Sequence, residues 1–273
     1  MGTIFGSCDH RMNKGRYDEI KALVDELFIR LQKHSGRDGD ERMFRAYSNR
    51  LIDAAQYSEI RRAVIPKLHE FVIPRLISHP DRSGYWVKML RIEPSADVVS
   101  VLQELLVDKP SIFAWQRFHL WRLALYLDST LPIPILNQAI KAVAKEESYA
   151  VASQAAICVG KYGSNTQKET LFSDHFTSRE SYLVQRAILI ALQELPSPVR
   201  DQLYDRAVGI DSDHKQLVEY LKTIGEPNYM IKLKPTKCCV DVPVEVEPPE
   251  NDGVGLVDDK VIRFPLINEY EEY

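Results

Sequence analysis

The sequence predicts an all-α fold, a HEAT-like α-solenoid of paired antiparallel helices followed by an irregular acidic C-terminal tail. Three observations predict it. Apolar residues recur at helical spacing through most of the chain, stop signals recur after 35, 35, 33 and 29 residues, and pairs of helical segments lie between those stops. A 273-residue chain with 45% apolar residues has enough material for a large core, so disorder of the whole chain is excluded.

The elements follow in order. Over Tyr17–His34, Ile20, Leu23, Val24, Leu27, Phe28 and Leu31 mark one face of an amphipathic helix that Gly36 and Gly39 stop. A second helix spans Met43–Tyr57. Next, Val64-Ile65-Pro66 is echoed by Val72-Ile73-Pro74, and each proline is expected to open a short helix, with a break near Pro66 and another near Pro74. From Ser83 the stops fall at Ile92-Glu93-Pro94, Leu127-Asp128-Ser129, Tyr162-Gly163-Ser164, Leu195-Pro196-Ser197 and Ile224-Gly225-Glu226. Ser95, Ser164 and Ser197 are the expected N-caps.

The predicted helix pairs are Ala96–Val107 with Ala114–Leu127, Ile135–Lys145 with Tyr149–Tyr162, Lys168–Phe172 with Tyr182–Leu195, and Val199–Val208 with His214–Ile224. Ala152, Ala155, Ala156 and Gly160 suit close helix packing. The apolar run Val184–Leu195 should be central. Trp115, Phe118, Trp121 and Leu125 share one stripe, with Arg117 and Arg122 off it.

Charge divides the chain into an N-terminal helical region (1–82), a helical-repeat region (83–225) and an acidic Pro-rich tail (226–273). Residues 1–95 hold 17 Lys/Arg against 13 Asp/Glu, residues 96–225 hold 13 against 15, and the tail holds 5 against 11. Glu245–Asp259 reads as a linker or disordered segment, so the tail is expected to be partly disordered, and Cys239–Val246 reads as an edge strand at best, because Pro243 lacks an amide donor. A net charge of -4 argues against nucleic-acid binding by bulk charge. Cys8, Cys158, Cys238 and Cys239 are too few and too scattered for a disulfide framework, which points to a cytoplasmic protein. Neither a membrane span nor a signal peptide is expected.

Phe44-Arg45-Ala46-Tyr47-Ser48-Asn49-Arg50-Leu51, Pro74-Arg75-Leu76-Ile77-Ser78-His79-Pro80, the small-residue helix ending Lys161-Tyr162-Gly163, and Gln185–Leu192 carry a family resemblance. The stretch from Phe44 to Val208 resembles the HEAT-like helical segment that follows the polymerase domain of bacterial abortive-infection and phage-defence reverse transcriptases. The chain lacks the Tyr-x-Asp-Asp signature whose carboxylates hold two metal ions, so the resemblance implies an accessory helical part and no polymerase activity.

No motif identifies a reaction, a cofactor or a metal. Asp211-Ser212-Asp213-His214 suits a helix cap better than a metal site, and Cys238-Cys239 has neither a CxxC spacing nor a nearby His. His119, set among aromatics, is expected to be a packed helix residue. The functional signal is basic: Arg61, Arg62, Lys67, Arg75, Lys88 and Arg91 near the start of the repeats, with Arg117 and Arg122 beyond. On the concave side of a solenoid they would suit phosphates or an acidic partner; otherwise they form a solvated face. The expected function is a non-catalytic scaffold that binds a protein partner, with a place in phage defence implied by the resemblance. The alternatives are an RNA- or DNA-contacting accessory module of a reverse transcriptase, and a HEAT-like DNA glycosylase using Asp128 near Trp115 and Trp121.

Overall fold

The structure is a computed structural model that describes residues 14–223 except 37, 38, 56, 57, 95 and 129. Among the described residues there are α-helices, short 3-10 and π turns, and no strand. The acidic tail, Cys8, Cys238, Cys239, the candidate edge strand and the Ser95 cap lie outside the described residues. The chain divides into two compact units, one up to Glu93 and one from Pro94.

The first unit contains α1 (Lys14–His34), α2 (Glu41–Ala54), α3 (Ser58–Ser78), a 3-10 turn at Pro80–Arg82, and α4 (Ser83–Leu90). Its core gathers Leu27, Phe28 and Leu31 of α1 with Phe44 and Leu51 of α2, Leu68 and Leu76 of α3, and Trp86 of α4. Phe44 meets Trp86 edge-to-face at 4.9 Å, and Phe28 meets Phe71 at 5.4 Å. A Cβ on Gly39 would collide with the His34 carbonyl, so only glycine lets the chain fold back here. Asp40 then caps α2, its Oδ1 accepting from the Arg42 amide at 2.9 Å and the Met43 amide at 3.2 Å. Arg82 also closes the C-terminal end of α1: its Nη1 donates to the His34 carbonyl at 2.6 Å while the guanidinium lies over Phe44.

The expected breaks at Pro66 and Pro74 are absent, and α3 runs unbroken through both. Each ring is solvent-exposed, as are Arg62 and Glu70, the residues four positions earlier whose carbonyls lose an amide partner. Water can satisfy those carbonyls, whereas a break would expose the opposite face. That face buries Val64, Leu68, Phe71, Val72 and Leu76, at about 1.5–3 kcal/mol each against about 3 kcal/mol for each proline. Burial wins.

The second unit runs through α5 (Ala96–Gln103), a π turn at Glu104–Asp108, α6 (Ala114–Ala124), α7 (Ile133–Lys145), α8 (Tyr149–Tyr162) and α9 (Asn165–His175). It continues with α10 (Tyr182–Ala191), a 3-10 turn at Leu192–Glu194, α11 (Ser197–Ile210), a 3-10 turn at Ser212–His214, and α12 (Lys215–Thr223). Helix α8 is central: Val151–Gly160 are all buried, and it packs on α6, α7, α9 and α10. The helices of Trp121, Ile157 and Leu189 therefore lie side by side, and α5, α7 and α9 meet in a second series. This order of contacts is compatible with a solenoid.

α6, α8 and α10 point the same way. At their C-terminal ends, Lys161 of α8 donates to the Leu125 and Leu127 carbonyls at 2.6 and 2.9 Å, and the Tyr162 hydroxyl donates to the Ala124 carbonyl at 2.7 Å. Lys161 thereby satisfies the Leu125 and Leu127 carbonyls beyond the end of α6, and Tyr162 adds a second donor to the Ala124 carbonyl. These bonds also accompany the early finish of α6, because Leu125, Tyr126 and Leu127 tighten into bonds from each amide to the carbonyl three residues back, three residues before the predicted end. Nearby, the buried Cys158 Sγ donates to the Trp121 carbonyl at 3.3 Å, and burial pushes the thiol pKa up. A Cβ on Gly160 would fall 2.6 Å from the Ala191 Cα, so glycine sets how closely α8 and α10 approach.

Ser164 forms the expected cap, a capping box with Gln167. Ser197 does not: Pro196 occupies the N-cap position, and the Ser197 hydroxyl donates instead to Asp201 Oδ2 at 2.9 Å.

Replacing Gly160 with Ala should destabilise the protein by about 1–3 kcal/mol of overpacking, less the ~1 kcal/mol that alanine gains over glycine in a helix. Urea unfolding measures this, and adding Ala191→Gly should restore part of the loss.

Candidate functional site

The predicted basic residues of the first unit do not form one surface. With α3 continuous, 3.6 residues per turn puts Arg61 and Arg75 about 40° apart, while Arg62 and Lys67 lie on the two flanks, about 140° from each other. Arg61, Lys67 and Arg75 are engaged within the unit. Arg61 donates to the Ile92 carbonyl and pairs with Glu93 at 3.1 Å, and Lys67 pairs with Asp25. Arg75 donates to the Phe71 carbonyl at 2.9 Å, and its guanidinium lies 3.7 Å from the Phe71 ring centroid; burial holds its pKa below the usual value. Arg62 is exposed, and Lys88 and Arg91 are half-buried at the end of α4.

In the second unit Arg117 is equally engaged. Its guanidinium grips Glu146 through two bonds, at 2.8 and 2.9 Å, and donates to the Ser111 carbonyl at 2.6 Å. Only about a fifth of Arg117 and an eighth of Glu146 is exposed, which makes this a partly desolvated bidentate pair. Arg122 lies over Phe118 at 5.7 Å. The sequence logic selected these side chains for their charge, but the partners of Arg61 and Arg117 sit about 30 residues away in the chain.

The same contacts assemble something else. Arg117 ties the start of α6 to the segment before α8, and Arg179, just before α10, donates to the Glu146 carbonyl at 2.6 Å and lies over Tyr149. The N-terminal ends of α6, α8 and α10 therefore form one edge. Exposed apolar side chains mark each step: Ile112, Phe113 and Trp115 at α6, Tyr149 at α8, and Tyr182 at α10. Ile112 is 84% exposed and Trp115 42%, whereas Trp86 and Trp121 are buried.

Trp115 stacks on Phe118 at 5.7 Å, and the buried His119 ring meets it edge-on at 4.2 Å, so its position is held by the helix beneath. His119 is a packed helix residue, as expected. Tyr182 stacks on His214 at 4.8 Å, and the Arg186 guanidinium lies 5.3 Å from the Tyr182 ring centroid. The chain pattern hid this edge, because Trp115 shares helical spacing with the buried Phe118, Trp121 and Leu125. The available signal was an aromatic at the start of alternate helices: Trp115, Tyr149 and Tyr182, 34 and 33 residues apart.

The other candidates resolve into structure. Asp211 caps the turn before α12, accepting from the Asp213 amide at 2.9 Å. Among the described residues, no group of three or more His, Cys, Asp or Glu could hold a metal ion, and no helix is long and apolar enough to cross a membrane. Trp115 and Asp128 lie at and beyond opposite ends of α6, and Trp121 is buried between them, so the three do not share a groove.

No known protein family, curated protein or solved structure matches the chain.

Two outcomes follow from this geometry. A double-mutant cycle on Arg117→Met and Glu146→Gln should give a coupling energy of about 1–3 kcal/mol in thermal or urea unfolding. His214 is buried, its pKa lowered chiefly by desolvation, so the folded state keeps it neutral while the unfolded chain takes up a proton near its ordinary pKa. Stability should therefore be fully present above that ordinary pKa of about 6.5 and fall as pH drops below it, at most about 1.4 kcal/mol per pH unit. The drop should be smaller in His214→Gln, measured by urea midpoints between pH 7 and pH 5.

Proposed function

We propose that this chain is a non-catalytic helical-repeat scaffold that docks a protein partner on the N-terminal edge of α6, α8 and α10. One observation carries the reading: aromatic and aliphatic side chains stand exposed at the start of three neighbouring parallel helices, while the two arginines that join those helix ends, Arg117 and Arg179, are engaged. An exposed apolar row on a rigid support is the usual anatomy of a protein interface, in which a few aromatic anchors dominate affinity. A nucleic-acid surface would instead need cations free to neutralise phosphates, and Arg117 and Arg179 already hold Glu146 and its carbonyl. The place in phage defence that the resemblance implies suits a binding part that works beside an enzyme.

Trp115→Ala together with Tyr149→Ala should lower retention of a co-purifying protein by about tenfold without changing the helical circular dichroism signal. Nuclease treatment should leave retention unchanged. The reading is overturned if single- or double-stranded nucleic acid binds at low salt, weakens log-linearly with salt, and loses slope when Arg61 and Arg62 are replaced.

A further inference from the structure

The two tyrosines of the edge belong to one repeated motif. Glu147-Ser148-Tyr149-Ala150-Val151 opens α8, and Glu180-Ser181-Tyr182-Leu183-Val184 opens α10, 33 residues later. Both occurrences have the same geometry. Ser148 and Ser181 are the N-cap residues, at φ -75, ψ 110 and φ -74, ψ 114, and neither hydroxyl caps its helix. Val151 and Val184 are buried and seat each motif, while Glu147, Tyr149, Glu180 and Tyr182 all stand exposed. From this repetition we infer that the edge recognises an extended, proline-rich peptide with Lys or Arg at every third residue, its prolines against Tyr149 and Tyr182 and its cations on Glu147 and Glu180. This inference rests on reading the edge as a docking surface.

Spacing selects the backbone of the ligand. A Cβ on Gly160 would fall 2.6 Å from the Ala191 Cα, so the axes of α8 and α10 pass no more than about 9 Å apart there, each Cα lying about 2.3 Å from its axis. A ligand in register with the edge must present an equivalent side chain at each such step. A polyproline II segment does so at every third residue, about 9.3 Å on. A β-strand returns to the same face after about 6.7 Å, and an α-helix after about 5.4 Å, so that every second turn falls between the tyrosines. Polyproline II also has no internal hydrogen bonds, which leaves its carbonyls free to accept from the Ser148 and Ser181 hydroxyls. Aromatic-lined surfaces suit such segments because the ligand is stiff before it binds.

Charge selects the side chains. Each tyrosine has an exposed glutamate two residues before it. The arginines beside the rings are committed or recessed. Arg179 donates to the Ala144 and Glu146 carbonyls at 3.3 and 2.6 Å, and Arg186 is half-buried beside Tyr182. The exposed Lys145 and Lys215 stand in the flanking segments against Glu147, Glu180 and Asp213. The edge as a whole is therefore close to neutral, and attraction is local: one glutamate per step sets the register, while apolar contact supplies most of the affinity. At the α6 end Asp108 and Lys109 offset each other, and Ile112, Phe113 and Trp115 offer apolar contact. The cations of the ligand thus belong over α8 and α10.

The probe is a labelled peptide of four Pro-Pro-Arg repeats, titrated with the full chain and followed by fluorescence anisotropy. It should bind, and a peptide of the same composition with its arginines clustered at one end should bind about tenfold more weakly. Glu147→Gln and Glu180→Gln should each weaken binding by a similar factor, up to about fivefold, because the two steps are equivalent. Tyr149→Ala and Tyr182→Ala should each cost about tenfold. The glutamates are exposed, so their variants should keep the parent urea midpoint even if a tyrosine variant does not.

Equal binding of the spaced and clustered peptides overturns the inference, and so does binding unmoved by Glu147→Gln with Glu180→Gln. No binding at about 1 mM peptide overturns it as well. Tighter binding of a helical peptide with leucine at every seventh residue would assign the edge to a helix instead. If the proline peptide fails yet Trp115→Ala with Tyr149→Ala still lowers partner retention, the ligand chemistry is wrong and the docking reading stands. If retention is also unchanged, both fail.

Discussion

The parallel alignment of α6, α8 and α10 is the constraint on which the rest of the second unit depends. Small side chains along α8 make it possible. With Ala152, Ala155, Ala156 and Gly160 buried, neighbouring backbones approach closely, and Gly160 meets Ala191 where any Cβ would clash. Hydrogen bonds then lock the stagger. Lys161 and Tyr162 reach the carbonyls at the end of α6, while Arg117 and Arg179 converge on Glu146 at the opposite ends. Because both ends are pinned, the aromatic residues that start these helices stand in a row.

The arginines explain why charge was a poor guide to a binding surface. A guanidinium that is half-buried must find acceptors, and backbone carbonyls at helix ends are the nearest unsatisfied ones. Arg82 serves the end of α1, Arg61 the end of the segment after α4, and Arg179 the loop after α7. Each fixes where one helix finishes relative to another. A basic residue that does this work presents little charge to an outside ligand.

Helix positions were legible because the apolar period survives in the chain: α8 begins and ends where its pattern does, at Tyr149 and Tyr162, and the Ser164 cap is visible in four residues. The continuity of α3 was not legible, since it depends on which way Pro66 and Pro74 face, and facing is set by the packing of Leu68 and Leu76 against other helices. The end of α6 depends on Lys161, 36 residues from the carbonyl it holds. The aromatic edge shared this difficulty. A tryptophan at helical spacing with buried neighbours resembles core until the helix end places it outside.

Cys158 has a consequence of a different kind. Its thiol is fully buried against the Trp121 carbonyl and kept protonated, so alkylating reagents meet a poor nucleophile behind a wall of packed side chains. Reaction requires α8 to part from α6. The sulfur is thus a chemical clock for breathing of the repeat, its labelling rate counting how often the two helices separate and how long they stay apart.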